Sequence, residues 1–211
     1  MKALLVSGGD VKDLDLVKNL AKDVDLVIGV DGGTEYYLSI GILPNIIIGD
    51  LDSIKMESLE IIKKKQIPII KFPIEKDKTD TELALDYLIE KGFKDITILG
   101  AIGSRMDHTL GNIFLLKKLW KKKIKGKIID NHNIIYLIDK ELIIKNRPSS
   151  YVSIIPITND GAIITLEGFK YNLSKVKIDF SSTLGISNKV EETHGYIKIH
   201  KGICLVFITK D

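Results

Sequence analysis

The chain reads Ile46-Ile47-Ile48-Gly49-Asp50-Leu51-Asp52-Ser53 where a short apolar run passes directly into an acidic turn. The run is entirely β-branched, which favours a strand, and neither side of it is polar. A strand that is apolar on both sides is typical of a parallel sheet with both faces covered. This stretch therefore predicts a buried parallel strand that carries acidic side chains at its carboxyl end.

The same order of strand and loop recurs through the first 125 residues. Four other apolar runs predict strands, at residues 3–6, 26–30, 67–72 and 96–99. Segments with helical spacing lie around residues 59–62, 83–89 and 110–119. Strands that alternate with helices in this way predict an α/β domain built on a parallel sheet.

The pattern changes after Gly126. Seven more apolar runs follow, at residues 134–138, 142–144, 152–155, 162–166, 176–178, 196–199 and 203–208. Turn signals such as Asn159-Asp160-Gly161 separate these runs, and no stretch of helical length lies between them. We expect an α/β domain over residues 1–125 and an all-β domain, a small sandwich, over residues 126–211.

Aspartates occur where the predicted strands of the first domain end. They share a position shortly after the second, third, fourth or fifth strand, and they are Asp31, Asp50, Asp52, Asp77, Asp80 and Asp107. Loops after successive parallel strands open on one edge of the sheet, and open α/β sheets bind ligands at that edge. The sequence therefore predicts a crevice that gathers these carboxylates.

Carboxylates held so close repel one another, and a hard divalent cation relieves the repulsion. Mg²⁺ prefers oxygen ligands and is typically held by one or two carboxylates with phosphate oxygens and water. Asp50 and Asp52 are the leading pair, because side chains two residues apart in an extended chain point to one side. Neighbouring glycines would let the backbone approach a polyphosphate, and Arg105 with Lys76 or Lys78 would balance its charge.

Several of these residues also have a purely structural interpretation, which stays open. Thr79 and Glu82 match a helix capping box. Ser53 suits a helix N-cap as well as a ligand. His108 fits a hydrogen-bonded residue at a helix start. The chain contains neither a P-loop nor a Gly-x-Gly-x-x-Gly fingerprint.

Two other functions compete with a nucleotide-dependent transferase. A metal-dependent phosphatase could use an Asp-x-Asp pair as nucleophile and acid, although that design places the pair after the first strand and here it follows the third. A non-catalytic nucleotide-sensing module would bind ATP without consuming it. Trapping of an aspartyl-phosphate would favour the phosphatase.

The composition limits the class of protein and the partners that we expect. The chain has 211 residues, of which 45% are hydrophobic and 28% charged, as expected of a globular protein. Its net charge of +3 gives no reason to expect a nucleic-acid partner. Cys204 is the single cysteine, so no internal disulfide can form. No apolar run reaches the length of a membrane helix, and we expect a cytoplasmic protein.

Five motifs occur in a characteristic order from near residue 1 to the C-terminus. They are Asp31-Gly32-Gly33, Gly49-Asp50-Leu51-Asp52-Ser53, Lys76-Asp77-Lys78-Thr79-Asp80-Thr81-Glu82, Gly103-Ser104-Arg105-Met106-Asp107-His108-Thr109-Leu110-Gly111-Asn112 and Gly185-Ile186-Ser187-Asn188. In this order and spacing the chain resembles the thiamine pyrophosphokinase family. Each motif alone is weak, and the combination is specific.

The resemblance implies a Rossmann-like α/β domain that binds ATP, followed by a β-sandwich domain that binds thiamine. It implies a homodimer with active sites at the subunit interface. The reaction it implies is the Mg²⁺-dependent transfer of a pyrophosphoryl group from ATP to the thiamine hydroxyl, which gives thiamine diphosphate and AMP.

The resemblance also implies roles for single residues. The expected catalytic residues are Asp50, Asp52, Asp80, Arg105 and Asp107, with Mg²⁺ on Asp50, Asp52 and Asp80. The expected ATP-binding residues are Asp31, Gly32, Gly33, Lys76, Asp77, Lys78, Thr79, Arg105 and Asp107. Ser187 and Asn188 would contact thiamine. Some family members place a C-terminal tryptophan on thiamine, whereas the only tryptophan here is Trp120, so that either another aromatic such as Tyr196 takes that place or the contact is absent.

Overall fold

The computed structural model describes residues 1–72 and 77–210. The chain divides into two compact units, Met1–Asn131 and His132–Asp211. The division lies six residues beyond residue 125, because residues 125–129 form a strand that pairs with the sheet of the first unit.

Six parallel strands form the sheet of the first unit. They are β1 (Lys2–Val6), β2 (Leu26–Val30), β3 (Ile46–Ile48), β4 (Ile69–Ile70), β5 (Asp95–Leu99) and β6 (Lys125–Ile129). Their order across the sheet is β4-β3-β2-β1-β5-β6. The chain therefore adds strands in one direction from β1 to β4, and then returns to place β5 on the other side of β1.

In the part of the chain that the structure describes, five α-helices lie between these strands. They are α1 (Leu14–Ala21), α2 (Thr34–Ser39), α3 (Met56–Lys64), α4 (Asp80–Glu90) and α5 (Met106–Lys121). Two have side-chain caps of the kind that favours helix starts: Asp13 accepts from the backbone N–H of Leu16 at 3.0 Å, and Thr79 accepts from that of Glu82 at 3.3 Å. Helical spacing predicted α3, α4 and α5, while α1 and α2 were not predicted.

The central strands are buried on both faces, as their composition predicts. Leu4 and Leu5 in β1, Ile28 in β2 and Ile98 in β5 are all inaccessible to solvent. The fourth predicted strand is shorter than expected, because only Ile69–Ile70 pairs with β3 at the end of the sheet.

The second unit consists of antiparallel strands. They are β7 (Asn133–Ile138), β8 (Glu141–Lys145), β9 (Ser150–Pro156), β10 (Ala162–Glu167), β11 (Leu173–Ile178), β12 (His194–Lys201) and β13 (Cys204–Lys210). β13 pairs with β7 and β9, whereas β11, β10, β12 and β8 are joined in that order. Residues of both groups, including Val152, Ile164, Ile197 and Val206, form one buried core. The predicted class, an α/β part followed by an antiparallel β part, is confirmed.

Two further sequence expectations can be compared with the structure. Cys204 is fully buried in β13, and burial raises the pKa of its thiol to about 12. Among the helices described, none is both long and apolar enough to cross a membrane.

Candidate active site

A cavity of about 540 Å³ opens at the carboxyl ends of the strands in the first unit. Loops that follow β1, β2, β3 and β5 line it together with the first turns of α4 and α5. It lies where the strand order reverses, between β1 and β5, which is where ligands bind in open α/β sheets. Its polar side chains include those of Ser7, Asp10, Asp31, Asp80, Arg105 and Asn112.

The loops after β1 and β5 are joined by backbone hydrogen bonds. The N–H of Gly9 donates to the carbonyl of Gly100 at 2.8 Å, and that of Asp10 donates to the carbonyl of Ile102 at 3.1 Å. A β-carbon on Gly9 would lie 2.5 Å from both of these carbonyl oxygens, so a side chain there would force the loops apart. The Tyr36 hydroxyl donates to the Gly9 carbonyl at 2.8 Å and holds the loop from the other side.

Asp31 sits at the end of β2 in a left-handed backbone conformation, with φ of 47°. Its carboxylate lies against the α-carbon of Gly49, in the space that a β-carbon there would fill. Gly33 is similarly close to the carbonyl of Val6. The Asp31-Gly32-Gly33 motif is therefore packed between the ends of β1 and β3, and Asp31 and Gly32 line the cavity.

Asp50 and Asp52 are exposed residues in a tight turn. Leu51 between them has φ of 72°, and Asp50 Oδ1 accepts from the backbone N–H of Asp52 at 3.1 Å. Our expectation of an extended Asp50-Leu51-Asp52 segment was therefore wrong, because this hydrogen bond and the left-handed Leu51 curl the chain. Neither aspartate lines the cavity, although the adjacent Ser53 does.

Ser53 does not cap a helix. The N-cap of α3 is Lys55, two residues later. Of the two interpretations of Ser53, the helix N-cap is therefore wrong. Its hydroxyl oxygen lies 3.3 Å from the position that a β-carbon on Gly32 would take. Ser53 thus brings the loop after β3 against the loop after β2, at the rim of the cavity.

The start of α4 faces the same cavity through Thr79, Asp80 and Thr81. The capping interaction expected for Thr79 is present, and the Glu82 carboxylate accepts from Lys118 Nζ of α5 at 2.8 Å. The buried hydroxyl of Thr81 lies 2.9 Å from that of Ser7, at the end of β1. Asp80 is therefore the first residue of a helix that is fixed both to the sheet and to α5.

Other residues of this motif lie further from the cavity. Lys78 and Asp77 are exposed, and Lys78 Nζ forms an ion pair with Asp86 at 2.9 Å. Burial raises the pKa of Asp86, but hydrogen bonds from Lys118 and Lys78 outweigh burial and leave it below its ordinary value. Lys76 lies outside the described residues.

Arg105 and Asp107 form an exposed ion pair at the start of α5. Arg105 Nη2 donates to Asp107 Oδ2 at 2.6 Å, and Nε donates to Oδ1 at 3.3 Å. This hydrogen bonding lowers the pKa of Asp107 to about 2 and raises that of Arg105. Arg105 lines the cavity and Asp107 does not, so the carboxylate orients the guanidinium from outside.

The Ser187-Asn188 motif belongs to the second unit. Asn188 is buried, and its side-chain amide donates to the carbonyl of Tyr171 at 2.8 Å and accepts from the N–H of Tyr171 at 3.1 Å. Asn188 therefore fixes the backbone of Tyr171, whose side chain is 61% exposed. Ser187 is exposed and has φ of 59°.

The structure thus brings some of the expected residues together and leaves others apart. Asp31, Gly32, Thr79, Asp80 and Arg105 share one cavity. Within residues 1–72 and 77–210, no three His, Cys, Asp or Glu side chains are close enough to hold a metal ion unaided. Asp31 and Asp80 in the cavity wall offer carboxylate oxygens, which are ligands that Mg²⁺ prefers.

Sequence reasoning missed several cavity residues. Ser7 and Asp10 follow β1, where Gly8-Gly9 alone was too short a signal to specify a site. Asn112 lies one helical turn beyond His108, and its amide donates to the Ala101 carbonyl at 2.8 Å. A rule that searched every loop after a parallel strand, with or without an acidic residue, would have found Ser7 and Asp10.

Comparisons with known proteins identify a family for both parts of the chain. Residues 17–128 match the family described as "Thiamin pyrophosphokinase, catalytic domain", and residues 140–204 match "Thiamin pyrophosphokinase, vitamin B1 binding domain". A thiamine pyrophosphokinase from Bacillus subtilis (strain 168) is 38% identical over 209 residues, which cover 98% of each chain.

Solved structures give the same result. A thiamine pyrophosphokinase crystal structure from Bacillus subtilis superposes with a TM-score of 0.90 at 37% identity and covers 100% of both chains. One from Geobacillus thermodenitrificans has a TM-score of 0.86 at 32% identity and covers 100% of this chain and 98% of the other.

Proposed function

Since the chain belongs to the thiamine pyrophosphokinase family and is an enzyme of that activity, we propose that the cavity at the β1–β5 reversal is where it binds ATP and where transfer occurs. The family reaction converts ATP and thiamine to AMP and thiamine diphosphate. The observation that carries the proposal is the convergence of loops after four strands on one cavity with Asp31, Asp80 and Arg105 in its wall. The strand order supports a Rossmann-like use of the sheet.

The glycine-rich walls suit a polyphosphate. Gly8, Gly9, Gly32, Gly100 and Gly103 leave the backbone of three loops open to the cavity. Backbone N–H groups and the starts of α4 and α5 favour anions. In this proposal Asp31, Gly32 and Gly33 contact ATP together with Lys76, Asp77, Lys78 and Thr79, while Arg105, held by Asp107, contacts its phosphates.

The available donors fit Mg²⁺. Asp50, Asp52 and Asp80 offer carboxylate oxygens, which are the hard ligands that Mg²⁺ prefers. When bound, the ion would neutralise phosphate charge that develops during transfer. Asp80 is fixed at the start of α4, whereas Asp50 and Asp52 sit on an exposed turn. In this proposal the three residues differ in their roles: Asp80 binds the ion from a fixed position, and Asp50 and Asp52 add their carboxylates from the exposed turn.

Transfer forms a bond between the thiamine hydroxyl oxygen and the β-phosphorus, and it breaks the bond from that phosphorus to the oxygen it shares with the α-phosphorus. AMP leaves with that oxygen. Phosphoryl-type transfer has a loose transition state, so positioning and charge stabilisation matter more than a strong base. With a pKa of about 2, Asp107 is a poor proton acceptor, and Asp80 in the cavity wall is better placed to take the hydroxyl proton.

We assign thiamine recognition to the second unit. Ser187 offers an exposed hydroxyl, and Asn188 acts through the backbone of Tyr171. Tyr171 presents an exposed ring beside this motif, and an aromatic face attracts a thiazolium cation. Tyr196 lies on β12, where it pairs with Ile143 of β8, and it is not held by the Ser187-Asn188 motif. We therefore prefer Tyr171 to Tyr196 as the aromatic contact.

A homodimer with active sites at the subunit interface completes the proposal. Met106, Leu110 and Phe114 lie one turn apart along α5 and are 63%, 48% and 52% exposed. An apolar stripe of this kind is suited to association with another chain. We also place the enzyme in the cytoplasm, where ATP is available.

One assay tests the whole proposal. AMP release is measured with ATP and Mg²⁺, in the presence and absence of thiamine. We expect release that requires thiamine and matches thiamine diphosphate formed. Thiamine-independent release of inorganic phosphate would indicate a phosphatase, and ATP binding without any product would indicate a sensing module. Either result contradicts the proposal.

A further inference from the structure

Glu35 of α2 makes contacts that no part of the reaction described so far requires. Its Oε1 accepts from the backbone N–H of Lys55 at 2.8 Å, and its Oε2 accepts from the hydroxyl of Ser58 at 2.9 Å. Lys55 is the N-cap of α3, and Ser58 is a buried residue in its first turn. One carboxylate of α2 therefore holds the start of α3 at two points.

These contacts replace a missing cap. In a capping box, an acidic or amide side chain at the third helical position accepts from the N-cap backbone N–H. In α3 that position is Ser58, which is too short, and Lys55 provides no side-chain cap of its own. Glu35 supplies the acceptor from another helix and so attaches the start of α3 to α2.

The turn with Asp50 and Asp52 lies between two such attachments. At its first end, Gly49 packs against the Asp31 carboxylate. At its second end, Lys55 is held by Glu35. Asp31 and Glu35 are four residues apart in one short segment, so a single element fixes both ends of the turn.

The turn carries Asp50 and Asp52 at the surface, while Leu51 between them packs against a buried cluster that includes Ile47 and Ile54. Its backbone hydrogen bonds include local ones, from the Asp52 N–H to Asp50 Oδ1 and from the Ile54 N–H to the Leu51 carbonyl. Buried Ile54 adds an apolar anchor. The attachments at its two ends act together with these apolar contacts to set the position of the turn beside the cavity.

We propose that Glu35 is a positioning residue for metal binding: by capping α3 from α2, it fixes one end of the Asp50–Asp52 turn, whose carboxylates the proposed function assigns to the divalent cation. The inference rests on the proposed metal role of Asp50 and Asp52. Residues that orient metal ligands from behind typically change metal affinity by about 10- to 100-fold when they are replaced.

The test uses the variants Glu35→Ala and Glu35→Gln. The control is Glu57→Gln, which neutralises an exposed carboxylate in the first turn of α3. Binding of Mn²⁺ is measured by electron paramagnetic resonance in the presence of ATP, without turnover. We expect the dissociation constant for Mn²⁺ to rise about tenfold or more in Glu35→Ala, less in Glu35→Gln, and not at all in Glu57→Gln. The Mg²⁺ concentration for half-maximal activity rises in the same order, and excess Mg²⁺ restores most of the turnover.

Ser58→Ala is a milder variant that keeps the proposal testable if Glu35→Ala does not fold. It removes one of the two hydrogen bonds to Glu35 and leaves the carboxylate in place, and we expect an intermediate loss of Mn²⁺ affinity. Exchange of the Lys55 amide with deuterium reports whether the cap has been lost. Faster exchange at Lys55 with parental Mn²⁺ affinity overturns the inference, because Glu35 then only stabilises a helix.

Failure of the inference is distinguishable from failure of the proposed function. If Asp52→Asn keeps parental Mn²⁺ affinity, the metal role of the turn is wrong, and the inference about Glu35 falls with it. If Asp52→Asn loses affinity while Glu35→Ala does not, only the positioning role of Glu35 is rejected.

Discussion

The carboxylate of Asp31 occupies the space beside Gly49 that any larger residue would need. Asp31 directly follows β2 and Gly49 directly follows β3, so the contact joins the loops that leave two neighbouring strands at the rim of the cavity. Gly49 has φ of 135°, a conformation that L-residues rarely adopt. The glycine is therefore needed both for its backbone and for the room it leaves to its neighbour.

Replacement of Gly49 by alanine should displace Asp31 and the turn that follows. We expect turnover to fall about a hundredfold, because displacements of about 1 Å can cost that much in an active site. Gly41→Ala is the matched control: Gly41 has φ of 72°, and a β-carbon there would meet no atom within 4 Å among the described residues. Steady-state kinetics and thermal unfolding are measured for both. Equal loss of activity in the two variants would show that backbone strain alone is responsible.

Asp52→Asn tests the carboxylate of the turn. We expect metal-dependent turnover to fall about a thousandfold with little change in unfolding temperature, because the side chain is exposed and its charge would serve the metal. Glu60→Gln, which neutralises an exposed carboxylate of α3, should behave as the parent. AMP release and calorimetry provide the measurements. Parental activity in Asp52→Asn would reject the metal role.

Arg105→Ala should lower turnover more than ATP affinity, because the guanidinium would act on charge that grows during transfer. A loss confined to ATP affinity would place Arg105 in ground-state binding instead. Turnover numbers and a separate ATP-binding measurement distinguish the two.

Arg105→Ala should also change the pH at which the Asp107 carboxyl titrates. Asp107 titrates at about 2 in the folded chain and at about 3.9 in an unfolded one. A lowered carboxyl pKa contributes stability above the unfolded value, and the contribution disappears as pH falls from about 4 through 2. The carbon-13 shift of the Asp107 carboxyl should therefore titrate near 2 in the parent and close to its ordinary value in Arg105→Ala. Titration near 2 in both would exclude Arg105 as the cause.

Tyr171→Ala tests the aromatic contact with thiamine. We expect the KM for thiamine to rise about tenfold, since a cation held over an aromatic ring gains about 1–2 kcal/mol, and the KM for ATP to stay unchanged. Tyr171→Phe keeps the ring and should retain most of the affinity. Tyr196→Ala is the direct competitor: a larger effect there than at Tyr171 would assign the contact to β12.

The parallel sheet, and the edge at which acidic loops follow its strands, could be predicted from residues alone. Runs such as Ile46–Ile48 are apolar on both sides, which predicts burial in a parallel sheet, and Asp31 and Gly49 directly follow the second and third runs. The short helices α1 and α2 were missed, because eight and six residues give too few turns for a clear helical period. β6 was missed because only Ile128 and Ile129 of its five residues are apolar.

Details of the site depended on contacts that are distant in sequence. The left-handed Leu51 cannot be inferred from the letters Asp-Leu-Asp, which suit an extended chain equally well. Glu35 reaches a helix that starts 20 residues later, and Asn188 holds a tyrosine 17 residues earlier. Such hydrogen bonds have no sequence period, so the motifs pointed to residues that line the cavity, such as Asp31 and Arg105, and not to the residues that hold them in place.

The hydrogen bonds between the loops after β1 and β5 also bear on how the cavity receives a nucleotide. Hydrogen bonds of Gly9 with Gly100 and with the Tyr36 hydroxyl hold these loops against one another, so ordering this part of the protein adds little to the entropic cost of association. Association on that side of the cavity is therefore close to rigid docking.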